Sequence, residues 1–147
     1  MRIMAVFAIG TLVAGSSVSA APLASELLVT KVMRAKSTGL DVQVGNKLRF
    51  DANGEAIPQP YRNYLIRAAV PRGQRVKLFG WLNCDGFRVK SFNPRFSGPF
   101  THLVKIPRSY MSAGYCLLTF GVSRYGHLLE TGTAKGKIVV RVYGALR

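Results

Sequence analysis

Acid is the scarcest chemistry in this chain. Six carboxylates (Glu26, Asp41, Asp51, Glu55, Asp85 and Glu130) stand against 21 Lys and Arg, a net charge of +15. They are scattered, so the cations cannot be neutralised from within. Such a chain repels itself when compact, and its field favours anionic partners at low salt. Histidine is almost as rare, with only His102 and His127. The two cysteines, Cys84 and Cys116, form no Cys-x-x-Cys pair, and with so few other ligands the composition argues against a metal site. The sequence has no Ser-x-x-Lys, nucleophile elbow, His-Glu-x-x-His or phosphate loop, so the hydrolase families built on those motifs are excluded and no cofactor is expected. Sustained helical periodicity, internal repeats and low-complexity blocks are all missing, which excludes a helical or solenoid architecture. Beyond the first twenty residues, no apolar run is long enough to cross a bilayer as a helix.

What is present begins with an export signal. Arg2 supplies a positive n-region, Ile3 to Ala14 an apolar h-region, and Val18-Ser19-Ala20 the small residues of a cleavage site before Ala21. Residues 1–20 therefore read as a signal peptide and the destination as secreted or periplasmic. Cleavage removes only Arg2 among the charged residues, taking the net charge from +15 to +14. In an oxidising compartment, two cysteines imply one disulfide, Cys84–Cys116, stabilising by roughly 3–4 kcal/mol if unstrained.

The rest of the chain is punctuated about every ten residues by turn signals, as in all-β sandwiches and barrels. Residues 21–40 supply an edge strand on Leu27, Val29 and Met33, and 41–147 form the sandwich domain. Asp51-Ala52-Asn53-Gly54 marks a hairpin, and Ile57-Pro58-Gln59-Pro60 a loop. Pro71-Arg72-Gly73-Gln74 reads as a turn, followed by a strand with Val76, Leu78, Leu82 and Cys84 on one parity and Arg75 and Lys77 on the other. Cys116, Leu118, Phe120 and Val122 repeat the pattern, as do Ile138, Val140 and Val142. Two apolar-faced strands that each carry a cysteine suggest opposite walls of a sandwich joined by a disulfide. Phe87 to Lys90 alternates as a short strand, Ser91 to Pro99 reads as a loop, and Arg124 to His127 as a turn. An exposed edge strand leaves pairing between chains open.

The C-terminal half resembles bacterial-type immunoglobulin-like domains. Val70-Pro71-Arg72-Gly73-Gln74-Arg75-Val76-Lys77-Leu78 is similar to the turn and strand that open such a sheet. Ile106-Pro107 with Ala113-Gly114-Tyr115-Cys116-Leu117-Leu118-Thr119 is similar to the late strand, and Lys137 to Val142 to the closing one. The resemblance spans residues 65–143 and implies an antiparallel β-sandwich used for adhesion or ligand binding. Antibody-type domains place a tyrosine two residues before the second cysteine, where this chain has Gly114, and Trp81 here precedes Cys84. Neither the tyrosine corner nor the standard disulfide position is carried over.

Two sets of residues qualify as sites. Arg88, Lys90 and Arg95 interleave with Phe87, Phe92 and Phe96, and guanidinium groups beside aromatic rings clamp phosphates and stack on bases or sugars. This set points to an anionic partner, whether glycan, lipopolysaccharide, another lipid headgroup or nucleic acid. His102, His127, Glu130 and Arg124 form the alternative, a small secreted hydrolase cleaving phosphodiesters by acid–base chemistry. A third reading is an effector, inhibitor or adhesin that binds a protein partner.

Overall fold

Alternation becomes extended backbone almost throughout the computed structural model, which describes residues 24–125 and 136–147. The strands are β1 (Ser25–Met33), β2 (Gly39–Gly45), β3 (Arg49–Phe50), β4 (Ala56–Ile57), β5 (Tyr61–Ala69) and β6 (Arg75–Cys84). They continue with β7 (Phe87–Phe92), β8 (Arg95–Ser97), β9 (Phe100–Lys105), β10 (Cys116–Arg124) and β11 (Ile138–Leu146). One 3₁₀ turn, Arg108–Tyr110, follows Pro107. The signal-peptide reading and the positions of His127 and Glu130 lie outside the described residues.

Two antiparallel sheets face one another. One runs in the order β1-β11-β5-β9, and the other in the order β2-β10-β6-β7 with β8 also paired to β6. β3 and β4 make a separate small hairpin, closed where the Asp51 carboxylate accepts hydrogen bonds from the Asn53 and Glu55 amides. Successive side chains of a strand point to opposite faces, so the buried parity of each strand builds the core. Tyr64, Ile66, Val140 and Val142 enter from the four-stranded sheet, and Leu78, Leu82, Leu118, Phe120 and Val122 from the five-stranded one. The Tyr64 hydroxyl crosses between the sheets and donates to the Cys116 carbonyl oxygen at 3.2 Å. Burial pushes its phenol well above the usual range.

The disulfide corrects one expectation. Cys84 and Cys116 are bonded, 32 positions apart in sequence, but they lie directly opposite one another on the neighbouring strands β6 and β10. Their Cα atoms are 4.1 Å apart, close enough for a bridge between adjacent strands. The bond therefore staples one sheet internally instead of joining opposite walls. The reason is topological: parity puts both sulfurs inward, while β6 and β10 pair with each other and not across the core.

A second correction concerns residues 91–99. Ser91 and Phe92 end β7, and Arg95–Ser97 form β8, which pairs with Arg75–Lys77 of β6. Between these two strands the break is confined to Asn93-Pro94, where proline has no amide hydrogen to give the ladder but its carbonyl accepts from the Leu78 amide at 2.9 Å, and Gly98-Pro99 turns the chain into β9. The segment is a bent edge, not a loop.

Candidate functional site: a cationic face on the five-stranded sheet

Residues directly opposite on paired strands share a face, and the register of β6 therefore decides which cations gather. Arg75, Lys77, Phe79, Trp81 and Asn83 occupy its outward parity, between the buried Val76, Leu78, Gly80, Leu82 and Cys84. Lys77 lies opposite Arg95 of β8 on one side and Ser123 of β10 on the other, and Arg75 lies opposite Ser97. From β7, Arg88 lies opposite Asn83, and its guanidinium carbon sits 4.6 Å from the centre of the Trp81 ring. The Arg95 guanidinium is 5.5 Å from the Tyr125 ring centre. Four cations and three aromatic rings, those of Phe79, Trp81 and Tyr125, thus share one surface.

Beside them, a shallow cavity of about 310 Å³ is lined by Asp41, Gln43, Phe79, Trp81, Thr119 and Gly121. Gly121 is what lets the Phe79 ring come so close to the strand there. A Cβ at that position would collide with the Phe79 ring and approach the Asp41 Oδ1 to 2.8 Å. The surface carries a positive field beside planar apolar rings, a combination suited to phosphate, sulfate or carboxylate groups on a flat or polymeric ligand.

The structure divides the five residues singled out for binding. Arg88 and Arg95 belong to this outward face. Lys90 does not, because the ladder slips between Leu82 and Asn83. This β-bulge leaves Val89 unpaired, so Arg88 and Lys90, two positions apart, point to opposite sides. Lys90 lies opposite the buried Leu82 and takes the core-side parity of an edge strand, where an inward charge opposes pairing with another chain. Lys31 of β1 does the same opposite Val140.

Phe92 and Phe96 are half-buried and pack against the core. Phe92 meets the His102 ring of β9 with centres 5.1 Å apart, and Phe96 stacks on Phe100 at 4.1 Å with planes 7° apart. Both rings seal the open side between the sheets. The aromatic partners of the surface cations are instead Trp81, Tyr125 and, alongside, Phe79. Their signal was in the sequence, since Phe79 and Trp81 continue the outward parity of Arg75 and Lys77.

Of the acid–base set, the described members have separate structural roles. The half-buried His102 imidazole packs on Phe92, and its Nε2 has no partner. Burial first, and Lys90 second, hold its pKa below the ordinary value of 6.5. Arg124 is not in a turn but at the end of β10, only 4% exposed. Its Nε donates to Gln74 Oε1 at 3.0 Å, Nη1 to the carbonyls of Arg34 (2.8 Å) and Ser37, and Nη2 to the Gly136 carbonyl at 2.6 Å. The guanidinium ties together three connections at one end of the sandwich, and burial lowers its pKa. Its inward direction was readable, because Arg124 continues the parity of Cys116, Leu118, Phe120 and Val122.

No family model matches the chain, and no curated protein matches it. Among solved structures, it is similar to a chain in the structure of infectious bursal disease virus Gx strain, at 13% identity and a TM-score of 0.32. The alignment covers 86% of this chain and 36% of that one, so the chain spans about a third of that neighbour. A superposition so loose carries no argument about function.

Proposed function

We propose that this protein is an exported cationic binding module that holds an anionic polymer, a glycan or nucleic acid, on the outer face of its five-stranded sheet. The observation that carries the reading is the outward grouping of Arg75, Lys77, Arg88 and Arg95 around Trp81 and Phe79. Lys77 and Arg95 are directly opposed, and like charges so placed oppose pairing of their strands. An anionic group between them relieves that repulsion, so ligand binding and strand pairing reinforce each other. Arg88, held over Trp81, offers a charged plane already oriented for contact, which lowers the entropy lost on binding. Export follows from the N-terminal reading, and the disulfide is compatible with it. The resemblance to immunoglobulin-like domains, which bind rather than catalyse, points the same way.

The test is retention of labelled RNA, DNA and sulfated or uronate glycans by the oxidised protein at low and high salt. Retention should fade with salt, because each phosphate or sulfate contact releases counterions, and should leave the ligand intact. Lys77→Ser combined with Arg95→Ser should weaken it roughly tenfold or more at low salt. Binding indifferent to salt, or cleavage of the ligand, would overturn the proposal.

A further inference from the structure

The opposite outer surface has a different composition. On the four-stranded sheet, Leu27, Tyr143, Leu65 and Leu103 lie opposite one another across all four strands. Leu27 is 51% exposed and Leu103 40%. One step along the strands, Thr30, Arg141, Arg67 and Thr101 form the next row. Beyond it, Val32, 49% exposed, lies opposite Val139, which lies opposite Ala69. Arg67 also leans over Tyr143, with its guanidinium carbon 5.2 Å from the ring centre. No carboxylate belongs to these rows. The nearest on β1, Glu26, has the other parity and accepts a hydrogen bond from the Tyr61 hydroxyl.

We infer that this face docks on the surface of an anionic phospholipid bilayer, independently of the polymer site. A row of paired cations and hydroxyls set between two apolar rows gives one face contacts for both parts of a lipid interface, the headgroup phosphates and the first acyl carbons. Arg67 and Arg141 present two guanidinium groups to headgroup phosphates, flanked by the Thr30 and Thr101 hydroxyls, while Leu27, Leu65 and Leu103 meet the first acyl carbons. Tyr143, with an apolar ring and a polar tip, suits the boundary. A second copy of the chain fits poorly, because stacking this face on itself would bring four guanidinium groups together with no acid to separate them. Attachment would be peripheral, as no helix among the described residues is long and apolar enough to cross a membrane.

The experiment is co-sedimentation of the oxidised protein, as recovered after export, with phosphatidylcholine vesicles that contain or lack phosphatidylglycerol. The protein should sediment with the anionic vesicles and stay free of the neutral ones. Arg67→Ser with Arg141→Ser should weaken that partition roughly tenfold to thirtyfold. Leu27→Ser with Leu103→Ser should weaken it roughly tenfold and make the remainder salt-labile. Lys77→Ser with Arg95→Ser, on the other face, should leave more than half of it, which separates this inference from the polymer site. Trp81 is the only tryptophan and lies on the far face, so Leu103→Trp in a Trp81→Phe background gives a second readout. Its emission should shift to the blue on anionic vesicles and be quenched by brominated lipid, while Trp81 in the parent chain should not be. Absence of vesicle binding by the parent protein, binding untouched by the leucine changes, or quenching of Trp81 would overturn the inference.

Discussion

The two outer faces of this sandwich start from the same device and put it in opposite settings. Each carries a directly opposed cation pair, Lys77 with Arg95 on one and Arg141 with Arg67 on the other. On the five-stranded sheet the neighbours are Ser97, Ser123, Asn83 and flat aromatic rings. On the four-stranded sheet they are leucines, valines and two threonines. A pair of cations calls for an anion, and what surrounds the pair decides what the anion is attached to. Polar and planar surroundings favour a polymer lying along the face, whereas an exposed apolar row favours a bilayer. Charge alone, which the sequence displays plainly, does not distinguish them.

The faces also differ in how firmly they are held, and the largest effect should appear there. Only the five-stranded sheet carries the disulfide. Cys84→Ala with Cys116→Ala should destabilise the protein by roughly 3–4 kcal/mol. Amide exchange should then accelerate in β6, β7 and β10 before β5 and β11. Uniform acceleration through both sheets would show that the staple acts on the fold as a whole.

A smaller effect, of opposite sign, is expected from the opposed cations. Arg141→Thr removes the repulsion across β5 and β11 and should raise stability by about 0.5 kcal/mol at low salt. Lys77→Thr should do the same for β6 and β8, and both gains should shrink as salt screens the charges. Loss of stability in thermal melts would mean that another contact outweighs the repulsion.

The smallest effect is confined to acid pH and belongs to the seam between the faces. His102 has a native pKa held below 6.5 by burial and by Lys90, so the unfolded chain takes up a proton more readily than the native one. Its contribution to stability is complete above the ordinary value and is lost as pH falls through the lowered native value. His102→Gln, neutral at every pH, should flatten the decline in denaturation midpoint from about pH 7 to about pH 5. An unchanged decline would assign the acid sensitivity to the carboxylates.

Much of this was legible in advance, and the failures have physical causes. Period-two alternation named the inward residues of β6, β10 and β11, and cysteine number named the disulfide. Alternation fixes the face a side chain takes, not the strand it pairs with, so it shows Cys84 and Cys116 both facing inward but not that they are neighbours in one sheet. The bulge at Val89 reversed Lys90 relative to Arg88, because one unpaired residue shifts every later side chain to the other face. Phe92 and Phe96 look like partners of nearby cations in sequence, yet the same bulge puts Phe92 opposite the buried Gly80 and the restart after Asn93-Pro94 puts Phe96 opposite the buried Val76, so the rings meet His102 and Phe100. Arg124 is the reverse case: its neighbours Tyr125 and Gly126 have turn composition, while its own parity with Cys116, Leu118, Phe120 and Val122 points inward.

The most direct measurement of the central claim is the salt dependence of polyanion binding in the parent protein and in one variant of each face. If the polymer lies on the five-stranded face, Lys77→Ser with Arg95→Ser should reduce the slope of log K against log salt by roughly 1.4 to 1.8, two contacts' worth. Arg67→Ser with Arg141→Ser should leave the slope unchanged. Equal losses from both variants would contradict the account, since the polymer would then be held by net charge and by neither face in particular.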